Sequence, residues 1–424
     1  MSLVETLALL LPPIYAFVGY WPLLMMLVWT IGGVVFYRLH ESGARQSETP
    51  PSMPGGMRVS ILIPCYNEED NAAETIRACA AQSWPNFEII AVNDGSRDRT
   101  AEVLDALLQE IPALRVVHLA QNQGKAMALR AGAMVADGEI LVCIDGDAIL
   151  HPDCVAWLVR RFAHRPRLGA VTGNPRIRNR SSLLGLLQVG EFSATIGLVK
   201  RTQRLTGRVF TVSGVVVAFR ASALRDVGWW TDDNLTEDVD VTWKLQRRRW
   251  AVHFEPNALS YILMPETLRG LWKQRLRWAE GGAQTFLRYA PDFLRWDGRN
   301  MWGVMAEYAI STAWCYAMVL TFVITGLGLL GALPAALLPS ASLLSAWGMV
   351  LSVACLVQFS VALWIDRRHE ATSLLAFRPL LWVIWYPAAF WLLTAASAVV
   401  GFPRAVFRRS GRRARWTSPD RGFR

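Results

Sequence analysis

Three stretches of this chain contain no Asp, Glu, Lys or Arg: Leu7 to Tyr37, Tyr308 to Ile365 and Pro379 to Pro403. Each is longer than the roughly 20 residues an α-helix needs to cross a bilayer. The chain therefore reads as an integral membrane protein. The first run is too long, and its start at Glu5 too acidic, for a cleaved signal peptide. It fits one tilted helix, or two short ones broken around Gly19 to Pro22. The second run holds Pro334 and Pro339 near its middle, which predicts two helices and a tight turn. The third is a single run with Pro387 inside it. Nineteen tryptophans, many near run ends, suit a membrane–water interface.

The formal charge of +10 could suggest nucleic acid. However, Arg404, Arg408, Arg409, Arg412, Arg413 and Arg415 all sit just past a membrane run, where positive-inside bias explains them. No nucleic-acid partner is expected. Cys65, Cys79, Cys143 and Cys154 lie outside the runs without CxxC spacing, as in a reduced, cytosolic domain. No HExxH motif suggests zinc. If that domain is cytosolic, the second run returns Arg367 and Arg368 to the same side. One further span would then place the arginine tail outside. A re-entrant pair around Pro387 would keep it cytosolic, which is the expectation here.

Between the runs the chain alternates. A Pro-, Gly- and Ser-rich linker over residues 41–57 precedes "RVSILIPCY", "FEIIAV", "LRVVHL" and "EILVCI", four apolar strand-like runs. Helical stretches across Glu68–Gln82, Thr100–Gln109 and Lys125–Val135 separate them. That alternation predicts parallel strands in an α/β sheet. Ligands bind such sheets at the carboxyl ends of the strands. The polar loops fall there: "CYNEE", "NDGS", "NQGK" and "DGD".

Asp145 and Asp147, two apart at the end of the fourth strand, are hard oxygen donors suited to a divalent cation and a phosphate. A D-x-D pair is commonplace in turns; its place among four polar loops favours the site reading. Lys125 opens a helix, where backbone amides favour anions. Tyr66 and Asp94 end the first two strands, fit to stack on a base and accept its N–H. Thr236 reads as an N-cap with Glu237 and Asp238 in the first helical turn. One carboxylate there suffices as general base for an inverting sugar transfer. "PETLRGLWKQRLRWAEGG" opens with proline and predicts an interfacial amphipathic helix, with Leu268, Leu271, Trp272, Leu276 and Ala279 as its apolar stripe.

In this order, Asp94, Asp145-x-Asp147, Thr236–Asp238 and Gln274-x-x-Arg277–Trp278 resemble the processive family-2 glycosyltransferases, which include cellulose, chitin and hyaluronan synthases. "HLAQNQGKA", "VTGNPRIR", "GLVKRTQR", "FTVSG", "ILMPETLRGLWKQRLRWA" and "RARWTSPDRG" look like the bacterial poly-β-1,6-N-acetylglucosamine branch. The likeness runs from about Val59 to Gly422.

The resemblance implies a GT-A-type sheet domain inserted between transmembrane helices. Its parts would be an N-terminal membrane segment (1–40), the linker, a cytosolic transferase domain (58–264), interfacial helices (265–302), C-terminal membrane helices (303–404) and a basic tail (405–424). Tyr66, Asp94 and Lys125 would hold the nucleotide of UDP-GlcNAc. Asp145 and Asp147 would hold Mg²⁺, with Mn²⁺ as the alternative, and the diphosphate. Asp238, beside Glu237, would deprotonate the acceptor. Gln274, Arg275, Arg277 and Trp278 would bind the diphosphate, Trp278 also the acceptor end, and Ser213 and Gly214 would line the acceptor site. The product would be a growing poly-GlcNAc chain, exported across a bacterial cell membrane. A small membrane partner subunit and cyclic di-GMP, acting at the partner interface, are also implied; no residue here marks a cyclic di-GMP site. The alternatives are a chitin- or hyaluronan-type synthase, a lipid-linked single-sugar transferase, and a scaffold carrying an inactive transferase domain.

Overall fold

The computed structural model describes residues 2–43, 49–50, 56–180, 182–369, 386–408 and 413–414. Helix α1 spans Leu3–His40 without a break, although Pro12, Pro13 and Pro22 lie inside it. One helix, not two, is the outcome. Ser2 and Glu5 close a capping box on its first turn.

The sheet follows from the four apolar runs. β1 (Val59–Cys65), α2 (Ala72–Ala80), β2 (Phe87–Asn93), α3 (Thr100–Glu110), β3 (Leu114–His118), α4 (Lys125–Met134) and β4 (Ile140–Ile144) alternate as expected. β1 pairs in parallel with β2 and β4, and β2 with β3. Every residue of β1 is buried, because helices cover both faces. Ile61 and Ile63 face Ile76, Leu104 and Leu107; Leu62 points the other way, with Ala128 and Leu129.

The other half of the sheet is not purely parallel. After β5 (Ile149–Leu150), α5 (Cys154–Val159) and β6 (Leu168–Ile177) come β7 (Val216–Arg220), α8 (Ala221–Asp226), α9 (Glu237–Arg247) and β8 (Ala251–Ile262). The full order is β3-β2-β1-β4-β7-β6-β8-β5, with β7 antiparallel to both neighbours and β5 antiparallel to β8. β7 turns β4 and β6 into a crevice wall at the edge where the polar loops collect.

Between β6 and β7 runs a continuous helix: α6 (Leu183–Glu191), a π-helical turn over Phe192–Leu198, and α7 (Val199–Thr206). Among the described residues it is one of five helices long and apolar enough to cross a membrane, and the only one of these the charge-free runs did not announce. In its most apolar window 67% of residues are buried inside the protein, against 22% in α1, so it is sheathed by protein. Gly32 and Gly33 of α1 let the backbone come close enough to meet the Thr202 and Leu198 side chains.

α10 (Leu268–Tyr289) begins at a Thr267 cap that accepts from Gly270 N, so Pro265 lies outside the helix it was expected to open. α11 (Trp302–Leu329) and α12 (Ala341–Asp366) form the hairpin foreseen around Pro334 and Pro339. α13 (Tyr386–Phe407) packs along α10 and ends with Arg408 beside Glu280, 3.4 Å away. Beyond it, Ala414 N donates to Asp232 O at 2.8 Å, and Arg413 pairs with Asp232 at 3.2 Å. This part of the tail lies against the sheet domain. The first half of the supposed re-entrant pair, residues 370–385, and most of the tail lie outside the described residues.

Sheet domain and apolar helices are joined by a buried ion network. Arg201 of α7 binds Glu41 at 2.7 and 3.0 Å and Asp366 of α12 at 2.9 Å. Arg176 of β6 binds Asp366 at 2.8 Å, and Arg368 binds Glu41 at 2.7 Å. Glu41, Arg176, Arg201 and Asp366 are all at most 3% exposed. Glu41 was expected to begin a solvated linker. It is instead pinned in the junction, because the buried Arg201 guanidinium needs its charge and Arg368 adds a second contact.

Candidate active site

Gly124, at φ +91°, turns the chain from the loop after β3 into α4. Its N–H and that of Gln123 both donate to the Asp94 carboxylate, at 2.8 and 2.7 Å. Asp94 is fully buried. Burial raises its pKa, against the pull of those two N–H groups. The anion at the N-terminus of α4 is thus Asp94 itself, which shapes the loop and aims the next residue. Tyr66, half-buried, stands at the end of β1 nearby.

That next residue is Lys125. Its Nζ lies 2.5 Å from Asp145 Oδ1 and 3.0 Å from Glu237 Oε1, and donates to Gly214 O at 3.2 Å. Gly214 N in turn faces Asp238 Oδ2 at 3.3 Å. Five predicted residues from four separate segments (Lys125, Asp145, Gly214, Glu237 and Asp238) therefore meet at one point. Ser213 is held beside them by its N–H, which donates to Thr172 Oγ1 at 2.8 Å.

The electrostatics divide the two neighbouring carboxylates. Burial opposes ionisation of Glu237, but Lys125 outweighs it, and the pKa falls below the usual value. For Asp238, burial and then the charge of Glu237 raise the pKa to about 6, with Lys125 and Arg277 pulling the other way. Lys125 stays protonated, since Asp145 and Glu237 overcome the cost of its burial. One carboxylate is thus a fixed anion and the other a proton acceptor poised near neutrality. The kcat/KM of sugar transfer should accordingly fall on an acid limb near pH 6. Below it Asp238 is protonated and cannot accept a proton; a profile flat from pH 5 to 8 would contradict this.

Thr236 occupies the N-cap of α9, yet its hydroxyl does not cap the helix. It turns to Asn234 Oδ1 at 3.2 Å, and Asn234 Nδ2 donates to Thr285 Oγ1 of α10 at 2.8 Å. The cap expectation gives way because this loop is braced against α10. Gly281 makes the brace tight, since a Cβ there would fall 2.3 Å from Thr236 Oγ1. Gly281→Ala should therefore push the Thr236–Asp238 loop off the site. A drop in kcat of about tenfold or more is expected, by analogy with the cost of small misplacements, with donor affinity changed less. Equal kinetics for both proteins would refute the brace.

From α10, Gln274, Arg277 and Trp278 face the same cavity. Arg277 is exposed to it, as a group awaiting an anion should be. Arg275 also reaches the wall but is otherwise engaged. Its guanidinium binds Glu191 at 2.6 Å and lies 4.4 Å from the centre of the Trp278 ring. Expected on the nucleotide, Arg275 instead fixes the indole, because Glu191 is buried and needs a counter-charge.

The cavity is about 980 Å³ and does not stop at the sheet. It begins at Lys125, Asp145, Asp147, Glu237 and Asp238 and continues to Tyr308, Ser311 and Thr312 of α11 and Phe390, Thr394 and Ser397 of α13. Sequence reasoning missed this second half, because charge-free helices give little local hint of a polar face, and it missed Lys200 on the wall. The serines and threonines of "ISTAW" and "LLTAASA" were the available signal.

Residues 54–281 match the model of the "Glycosyltransferase like family 2" family, more than half the chain. The chain belongs to glycosyltransferase family 2. Among curated relatives of this family-2 enzyme is the poly-β-1,6-N-acetyl-D-glucosamine synthase of Staphylococcus epidermidis, 36% identical over 96% of this chain and 98% of its own length. The Staphylococcus aureus synthase of the same name is 38% identical over the same shares. Among solved structures, the mannosyltransferase PcManGT from Pyrobaculum calidifontis, in complex with GDP-Man and Mn²⁺, matches with a TM-score of 0.58 at 19% identity. It covers 96% of this chain and 99% of its own. It shares the GT-A-like fold.

Proposed function

We propose that the chain is a membrane-embedded, processive, inverting transferase that polymerises N-acetylglucosamine from UDP-GlcNAc into a β-1,6-linked polysaccharide and passes the product between its own helices. The observation that carries this is the single cavity running from Asp238 to α11 and α13. A polar chain cannot enter hydrocarbon bare, since each unpaired hydroxyl costs on the order of several kcal/mol. A path lined by Ser311, Thr312, Thr394 and Ser397 offers it partners.

Asp238 would take the proton from the acceptor hydroxyl as it attacks C1 of the donor, inverting α to β. Arg277, assisted by Lys125, would neutralise the departing diphosphate. Asp145 and Asp147 fit a divalent ion. Both are oxygen donors at a strand end, and Asp145 already faces the Lys125 cation at 2.5 Å. Among the described residues no third His, Cys, Asp or Glu completes a metal site. The remaining ligands would come from the diphosphate and water, as Mg²⁺ prefers and Mn²⁺ tolerates. Such an ion would supply Lewis-acid stabilisation of the leaving group. Tyr66 would stack on the uracil, while Asp94 would act by holding the loop under it. Trp278 would receive the acceptor's C–H face beside Ser213 and Gly214.

The near-full-length likeness to the staphylococcal synthases supports the β-1,6 product. The five apolar helices among the described residues, and Arg413 and Ala414 lying against the sheet domain, support a multi-pass place in a bacterial cell membrane with that domain cytosolic. A small membrane partner and cyclic di-GMP activation at its interface belong to the same reading. Activation of the purified single chain by the dinucleotide would refute a requirement for the partner.

The test is labelled UDP-GlcNAc with Mg²⁺ and purified protein in lipid. Polymer cleaved by a β-1,6-specific hexosaminidase is expected. Polymer resistant to that enzyme but cleaved by a chitinase would reassign the linkage. A lipid-extractable single sugar would refute processivity.

A further inference from the structure

Lys200 and Arg201 are neighbours on α7, both buried, at 5% and 0% exposure. Arg201 pairs with Glu41 and Asp366. Lys200 points the other way, onto the wall of the catalytic cavity. An ammonium carries three donors. Among the described residues Lys200 spends one, on Thr172 Oγ1 at 3.2 Å, and no carboxylate lies within ion-pair distance of it. A buried amine so thinly partnered is costly and is retained where a ligand completes it.

The position says which ligand. Thr172 Oγ1 also accepts from Ser213 N at 2.8 Å, and the next residue, Gly214, faces Asp238 Oδ2 at 3.3 Å. Lys200 therefore sits one short relay from the carboxylate base. The donor's diphosphate would lie elsewhere in the cavity, by Lys125, Asp145 and Arg277. An amine with donors to spare, on the cavity wall near the base, suits a neutral oxygen on the acceptor.

Resting on the polymerase reading above, we infer that Lys200 binds the terminal sugar of the acceptor. It would donate to a carbonyl or hydroxyl oxygen of that sugar and so turn the attacking hydroxyl toward Asp238. It is a specificity and positioning group for the acceptor and makes no contact with the leaving group.

The test measures acceptor KM with a soluble N-acetylglucosamine oligosaccharide and, separately, UDP affinity, on the full chain in lipid. Lys200→Met should raise acceptor KM by about tenfold or more and leave UDP affinity within about twofold. Thr172→Val removes the contact to Thr172 but keeps the ammonium. It should raise KM less than Lys200→Met does. An unchanged KM in Lys200→Met, or an equal rise in Thr172→Val, would overturn the inference, the latter by making Lys200 a mere prop for Thr172. If Lys200→Met also loses UDP binding, Lys200→Gln, which retains one donor, reads the same KM, and an unchanged value again overturns the inference. Failure of the polymerase reading itself looks different: the wild type would then transfer no sugar to any acceptor.

Discussion

Asp238→Asn should lower sugar transfer by about 10²–10⁴-fold, the usual worth of a positioned general base, while the sugar donor still binds. The substitution keeps the shape and removes the basicity. It should not be mistaken for a folding defect, and the sign of the linkage shows why. The native pKa of about 6 lies above the ordinary 3.8. The native state therefore binds more protons than the unfolded one between these values, and stability falls as pH rises from about 4 to 6. At neutral pH the wild type carries a buried carboxylate that the variant lacks. The variant should melt no lower than the wild type, and higher near pH 7 than near pH 4 relative to it. Residual transfer above about a tenth of wild type would remove Asp238 from the role of base.

Arg201→Met is the second large effect, on stability. It leaves Glu41 with Arg368 and Asp366 with Arg176 as their remaining guanidinium partners among the described residues, both carboxylates still buried. Removing one member of a buried ion pair costs about 3–5 kcal/mol. The thermal midpoint in detergent should drop sharply. The triple replacement of Arg201, Glu41 and Asp366 by apolar residues of similar size should recover part of the loss, because no bare charge remains. A single variant as stable as wild type would mean that water reaches the junction.

Much of the site was legible because its chemistry is local. Asp145-Gly-Asp147, Thr236–Asp238 and Gln274–Trp278 are short runs whose residue types announce what they do, and the parallel half of the sheet announces itself by β-branched runs. What stayed hidden depends on contacts distant in sequence. The antiparallel β7 is as apolar as the parallel β4, and neither composition nor period encodes strand direction. The Leu183–Thr206 helix escaped because Glu191, Lys200, Arg201 and Arg204 interrupt its apolarity. Three of those four face Arg275, the cavity or Glu41 and Asp366, so the interruptions are its function. Arg275 read as a ligand group from its motif; only the fold reveals the buried Glu191 that claims it.

The junction network also bears on how such a chain can be divided. Its composition changes abruptly near residues 41 and 303, and those points look like natural places to exchange one module for another. The charges say otherwise. Arg176 and Arg201 belong to the sheet half, while Glu41, Asp366 and Arg368 arrive from α1 and α12. A recombinant that joined this transferase domain to foreign helices would inherit two buried cations and no anions. Catalytic domain and membrane helices are therefore exchangeable only as a single unit, with acid and base at this junction replaced together.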